Sequence, residues 1–130
     1  MVKFTLIFLY NLKYTMDLYK KNNSLEKRLG ESKRILEKHP ERIPIIVCKD
    51  NNCQLPEIDK QKYLVPKDMS LGQFIYIIRK RIKLKSEQAL FIMVNHSLQP
   101  GNKLLDEIYE SNKSDDNFLY VVYSSENTFG

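Results

Sequence analysis

Few side chains in this sequence are of a type that does covalent or metal chemistry, and their spacing suits neither. Cys48 and Cys53 are separated by four residues, with His39 and His96 distant along the chain, a pattern that matches no zinc-binding spacing. Neither histidine lies in a motif that supplies a nucleophile or an orienting acid, so a thiol or acid–base enzyme is not expected. Two cysteines are also too few for a secreted disulfide scaffold, which favours a reducing, cytosolic setting. No catalytic residue, metal site or cofactor is expected, and recognition by surface and charge is what the composition leaves.

The charge is unevenly spread. The chain carries 21 basic and 16 acidic residues, a net charge of +5 that permits anionic partners such as phospholipid, nucleic acid or acidic peptides. From Lys60 to Lys85 eight basic residues face Asp68 alone, a net +7, whereas Leu105 to Gly130 carries six acidic residues against Lys113, a net −5. A basic stretch of this kind attracts acidic peptides or anionic lipid in a salt-dependent way, although any single lysine reads equally as a solvated surface charge.

These residues need a scaffold, and 130 residues with 42% hydrophobic and 28% charged content suit one domain that requires no disulfide or metal staple. The longest apolar stretch, Val2 to Leu12, is far short of the roughly 20 residues that span a bilayer. Lys3 gives it a signal-peptide look, but no small-residue cleavage site follows, so an extra strand or apolar helix packed on the domain is expected there. A start at Met16 is the alternative, leaving residues 1–15 as an extension of open status.

Asp17 to Lys38 is polar and helix-forming, with Ser24 placed as an N-cap and Leu25, Leu29, Ile35 and Leu36 as an intermittent apolar stripe. Gly30 costs this helix about 1 kcal/mol relative to Ala, which allows two pieces rather than one, and Pro40 stops it. Arg42 to Cys48 and Gln61 to Pro66 read as strands, then Ser70 and Gln73 form a capping box ahead of a helix ending in Arg79 to Arg81. Ala89 to Val94 is a third strand, about Lys103 to Tyr109 a short helix, and Phe118 to Tyr123 the last strand. This order is that of an α+β, ubiquitin-like β-grasp fold with an N-terminal helical arm. The arm covers residues 16–41, the body 42–123 and an exposed tail 124–130, one domain overall.

Particular residues carry a family likeness. They are Glu26-Lys27-Arg28, Arg42-Ile43-Pro44, Leu55-Pro56-Glu57-Ile58-Asp59-Lys60, Lys62-Tyr63-Leu64-Val65-Pro66, Gly72-Gln73-Phe74, Ile78-Arg79-Lys80-Arg81-Ile82, Phe118-Leu119-Tyr120-Val121 and Glu126-Asn127-Thr128-Phe129-Gly130. In this order the chain resembles the autophagy-related ubiquitin-like modifiers, the family of microtubule-associated protein light chain three and the GABA-receptor-associated protein, from about Ser24 to the end. Leu25 stands where an aromatic is common, Gly30 interrupts the arm, and Met93 occupies a position that often holds Phe.

The resemblance implies a modifier of autophagy joined through Gly130, with Thr128 and Phe129 in its tail, to the amine of phosphatidylethanolamine. A glycine carboxylate must be adenylated and held as a thioester before an amine attacks it, and the catalytic cysteines would belong to activating and conjugating enzymes. A cysteine protease would cut a longer precursor or serve only for delipidation, according to whether Gly130 is left by processing or encoded as the end. The protein would be cytoplasmic and, once lipidated, on autophagosomal or other intracellular membranes.

The resemblance also implies docking of receptor peptides with an aromatic residue and, three positions on, an aliphatic one. The edge for them would be Gln61 to Pro66. The aromatic pocket would use Glu31, Ile35, Pro44, Ile46, Lys62, Leu64 and Phe118, and the aliphatic pocket Tyr63, Val65, Pro66, Met69, Phe74 and Ile77. Basic contacts would come from Arg42, Lys60, Arg79 and Arg81. On residue type alone Ile46, Leu64, Phe74 and Phe118 read as core. The rivals are an unconjugated ubiquitin-like scaffold and a basic nucleic-acid-binding domain. The latter is suggested by charge and eight tyrosines but lacks an aromatic nucleic-acid motif, so no nucleic-acid partner is expected.

Overall fold

The computed structural model describes residues 18–125. The extra element expected within residues 1–15, and the tail residues Thr128, Phe129 and Gly130, lie outside them.

The arm forms two helical pieces. Residues 18–22 are helical, Asn23 and Ser24 interrupt, and α1 (Leu25–Lys38) follows. The break falls at the Ser24 cap rather than at Gly30: the Ser24 hydroxyl accepts from the Lys27 N–H at 3.2 Å, satisfying a donor that a helix start leaves open. At the other end the His39 N–H returns to the Ile35 carbonyl at 2.7 Å, with Pro40 directly behind.

Five strands make one mixed sheet. They are β1 (Arg42–Lys49), β2 (Lys62–Pro66), β3 (Phe91–Val94), β4 (Ser97–Leu98) and β5 (Leu119–Ser124), in the order β2-β1-β5-β3-β4. The central pair β1–β5 is parallel and the others antiparallel, which with the packed helices is the β-grasp arrangement. Expected strand ends move by a residue or two, and β5 runs on to Ser124, whose hydroxyl bonds the Asp50 carboxylate at 3.2 Å. Ser124, expected in the tail, is thus a buried residue of the last strand. Strand β4 was not expected: Asn95 and His96 both take left-handed backbone, at φ 49° and 66°, and close a two-residue hairpin without glycine.

Helices α2 (Leu71–Arg81) and α3 (Leu105–Asn112) cover one face of the sheet. The Ser70–Gln73 capping box is formed in both directions, at 3.2 and 2.9 Å. Gly72 donates to the Gly101 carbonyl at 2.8 Å, and a Cβ at Gly72 would stand 3.2 Å from that oxygen, so a side chain there would push the α2 start off the loop before α3. Leu71, Phe74, Ile78, Leu105 and Ile108 pack on Ile43, Ile45, Val47, Leu119, Val121 and Tyr123 as the main core.

The opposite face carries a second core of Tyr19, Ile46, Cys48, Met93, Phe118, Tyr120 and Val122, with Ile35 packed against it. The arm covers this face with Ile35 of the expected apolar stripe, but not with all of it. Leu25 is 44% exposed, whereas Arg28 and Ser32 are buried. Arg28 donates to the Asp116 carboxylate at 2.6 Å, and Asp116, wholly buried, also accepts from the Tyr120 hydroxyl and, at 2.9 Å, from the Phe118 N–H. A buried carboxylate is tolerable only with its lone pairs filled this way, so the arm is held on by the charge that needs it.

Asp116→Ala should therefore leave the Arg28 guanidinium buried and unpaired and lower stability by about 3 kcal/mol or more, read from urea unfolding. A loss under about 1 kcal/mol, the value of a surface pair, would contradict this account of the arm.

Candidate functional site

Strand β2 lies at the edge of the sheet and alternates cleanly. Tyr63 and Val65 are buried on the α2 side, Lys62 and Leu64 face the arm side more openly, and Pro66, half-buried, ends the strand. Its backbone alternates too. The Val47 N–H donates to the Gln61 carbonyl at 2.8 Å, which makes Val47 and Gln61 a hydrogen-bonded pair in the β1–β2 register. In an antiparallel ladder the hydrogen-bonded pairs recur every second residue, so Tyr63 and Val65 bond inward to β1 while the peptide groups of Lys62 and Leu64 point outward. Arg42 reaches across to the Leu64 carbonyl at 3.3 Å. Pro66 then ends the run of outward donors, because it has no N–H.

On the arm side the structure brings the aromatic-pocket candidates together. Ile46 and Phe118 form its floor at 0% and 1% exposure, Pro44 is buried beside them, and Ile35 and Leu64 are half-buried. Above them the Lys62 ammonium grips both carboxylate oxygens of Glu31 at 2.8 and 3.0 Å, linking β2 to α1. That hydrogen bond raises Lys62 above the ordinary lysine value. With the Lys62 side chain about half in solvent, the pair is worth at most about 1 kcal/mol.

Tyr19 belongs to this site and sequence reasoning missed it. Its ring shares the cluster of Ile46, Phe118 and Ile35, meets Tyr120 edge-on at 6.0 Å, and its phenol interacts with Lys62. Lys20 beside it lies 4.8 Å from the Tyr120 ring centroid and 3.2 Å from the Ser114 hydroxyl. The available signal was Leu18-Tyr19, an apolar pair in an otherwise polar run.

On the other side the aliphatic-pocket candidates also converge, at different depths. Phe74 is wholly buried and meets the Tyr63 ring edge-on at 5.5 Å, and Val65 is buried with it. Met69 and Ile77 are partly buried against this core, and Pro66 is half-buried at the end of β2. The strand thus divides its side chains between two apolar regions while its backbone faces out.

The basic candidates do not act alike. Lys60 stands 5.1 Å from the Tyr63 ring centroid, and Arg81 pairs with Asp59 at 2.8 Å in the open. Arg79 instead donates to the carbonyls of Lys85 and Gln88, both at 2.9 Å, and closes the connection after α2.

A family model described as "Autophagy protein Atg8 ubiquitin like" matches residues 27–130. The chain is 53% identical over 113 residues to autophagy-related protein 8e of Arabidopsis thaliana, covering 87% of this chain and 93% of that protein. It is 54% identical over 112 residues to autophagy-related protein 8A of Oryza sativa subsp. japonica, covering 86% and 94%. Among solved structures, the crystal structure of Trypanosoma brucei ATG8 superposes with a TM-score of 0.80 at 41% identity, covering 86% of this chain and 97% of that one.

Both thiols are buried, and burial pushes the Cys48 thiol up to about 12. The thiol therefore stays in its protonated, unreactive form across the neutral range. In a Cys53→Ser protein, Cys48 should resist a thiol-labelling reagent until denaturant is added. Labelling of the native protein at the rate of a free thiol would contradict its placement.

Proposed function

The chain belongs to the Atg8 family of autophagy-related ubiquitin-like proteins, and from that membership we propose that it is a lipid-conjugated modifier and a peptide-docking adaptor. The adaptor half rests on one observation above all, the edge strand β2 with outward peptide groups at Lys62 and Leu64 and an apolar region on either side. An extended peptide adds there as a sixth strand. Its backbone sets the register, its aromatic residue enters the Ile35, Ile46, Lys62, Leu64 and Phe118 side, and its aliphatic residue meets Pro66, Met69 and Ile77. The Lys62–Glu31 contact parts as the aromatic ring enters, and the freed ammonium then meets acidic residues ahead of it.

The modifier half rests on the ending Thr128-Phe129-Gly130 and on a family match that reaches residue 130. The Gly130 carboxylate attacks ATP to give an acyl-adenylate with loss of pyrophosphate, a cysteine of the activating enzyme displaces AMP to form a thioester, and a cysteine of the conjugating enzyme takes over the acyl group, freeing the first thiol. Attack by the amine of phosphatidylethanolamine releases the thiol and forms an amide. The catalytic groups all belong to those enzymes, and a cysteine protease reverses the linkage. No helix among the described residues is long and apolar enough to cross a membrane, and the two acyl chains of the lipid supply stable attachment.

Incubating the protein with Atg8-family activating and conjugating enzymes, ATP and phosphatidylethanolamine vesicles should add one lipid mass, and Gly130→Ala should abolish the adduct. Folded wild-type protein that gains no mass, with enzymes active on another substrate, would move the function to an unconjugated scaffold. Separately, the Lys62→Ala, Leu64→Ala double variant should lower affinity for an acidic-flanked aromatic-x-x-aliphatic peptide at least about tenfold in fluorescence anisotropy, the scale of losing a buried contact and a charge. Unchanged affinity would remove β2 as the docking edge.

A further inference from the structure

Four stretches remote in sequence converge on one polar cavity of about 180 Å³. Lys20 comes from the first piece of the arm, Asn95 from the β3–β4 turn, Ser111 to Ser114 from the end of α3 and the loop after it, and Tyr120 from β5. The cavity is separate from the docking edge, since β1 stands between β5 and β2. We propose that it is an oxyanion pocket, which takes the phosphate group of a phosphate monoester.

The lining offers more donors than its own acceptors use. Lys20 is half-buried and directs its ammonium at the Ser114 hydroxyl, 3.2 Å away, and at the Tyr120 ring, 4.8 Å from its centroid. Both groups are neutral, and among the described residues Lys20 meets no carboxylate, so its charge and the rest of its N–H donors stay unpaired. Lys113 adds a second ammonium, Ser111 an exposed hydroxyl with no described partner, and Asn95 the second N–H of an amide whose first goes to Asn112 at 2.8 Å. Phosphate oxygens accept several such donors at once, and a bond from a charged donor to a charged acceptor is roughly twice as strong as a neutral one. A neutral ligand would use the hydroxyls and leave the Lys20 charge uncompensated.

Nearby acids limit the affinity. Glu110 pairs with Lys113 at 3.3 Å, Asp115 accepts from the Ser114 hydroxyl at 3.1 Å, and the α3 C-terminus adds partial negative charge. Both acidic side chains are exposed, so an arriving phosphate turns them into water at small cost. The pocket is therefore weak and exchangeable. Once filled, it ties the first piece of the arm to α3 and to the loop before β5, alongside the Arg28–Asp116 pair.

The test titrates inorganic phosphate into the full chain at ionic strength held constant with chloride. The amide NMR signals of Asn95 and of Ser111 to Ser114 should move along saturable curves, and the melting temperature should rise. Lys20→Gln should weaken binding about tenfold, the scale of one charge-assisted hydrogen bond, and Ser111→Ala, which removes a hydroxyl the fold does not use, roughly two- to fivefold. Lys21→Gln, on the same piece of the arm but outside the cavity, should change nothing. Shifts that never saturate, or that spread over Lys60 to Lys85, are charge screening and overturn the pocket. An equal loss in Lys21→Gln and Lys20→Gln does so too, as does full affinity in Ser111→Ala, the variant that leaves the arm contact intact. Two further arms separate the sources of the phosphate: glycerol 3-phosphate, and vesicles carrying phosphatidylinositol 4-phosphate against phosphatidylcholine alone. Lys20-dependent binding that is tighter for the soluble ester supports a free metabolite, and the reverse order supports a lipid headgroup. Vesicle binding that survives Lys20→Gln overturns the headgroup as the occupant.

Discussion

A single buried carboxylate organises the side of the molecule on which recognition is built. Asp116 has no contact with solvent and fills its lone pairs from the arm through Arg28, from β5 through the Tyr120 hydroxyl, and from its own loop through the Phe118 N–H. Removing Arg28 would strand the carboxylate in a low-dielectric interior, and losing either neutral donor would leave a lone pair unfilled, so the arm, the last strand and the loop before it are fixed together. A ubiquitin-like sheet with helices on one face would otherwise expose Ile46, Cys48, Met93 and Phe118 on the other. The arm covers that face, and its margin against β2 is where Glu31, Ile35 and Tyr19 meet Lys62 and Leu64.

The site follows from placing an alternating strand at the boundary between two cores. Tyr63 and Val65 hold β2 to the main core, which leaves the peptide groups of Lys62 and Leu64 turned outward and their side chains turned to the arm. An exposed edge of this kind invites aggregation unless it is short and charged. Here it is five residues long, carries Lys62, is crossed by the Arg42 guanidinium at Leu64 and stops at Pro66. In the docking proposed above, the features that protect the edge also select the ligand: one extended segment, read by two apolar regions, with negative charge favoured beside it.

Much of this was legible because local rules and tertiary packing agree. Ser24 and the Ser70–Gln73 pair announce their helices by side-chain chemistry that needs no distant partner. The alternation of Lys62 to Pro66 places its side chains on opposite faces whatever surrounds them. Illegible features depend on neighbours remote in sequence or on backbone a residue type does not advertise. Arg28 reads as a surface charge until Asp116 is beside it, and Asp116 reads as one more acid in a polar loop. Tyr19 joins the site only once the arm has folded back, and Asn95-His96 makes a hairpin turn without the glycine that marks most of them. Arg79 is a basic-contact candidate by sequence, and its bonds to the carbonyls of Lys85 and Gln88 could not be read there. The conjugation chemistry of Gly130 was read from likeness to a family, since a terminal glycine has no geometry of its own to argue from.

The central claim is that β2 presents alternate peptide groups outward for a ligand strand, and residue-by-residue amide hydrogen exchange tests it most directly. In the protein alone the amides of Tyr63 and Val65 should be protected by β1, and those of Lys62 and Leu64 should exchange much faster. Saturation with an acidic-flanked aromatic-x-x-aliphatic peptide should slow Lys62 and Leu64 and leave Tyr63 and Val65 nearly unchanged. Peptide-induced protection that appears on another element, with Lys62 and Leu64 still exchanging as before, would contradict the account.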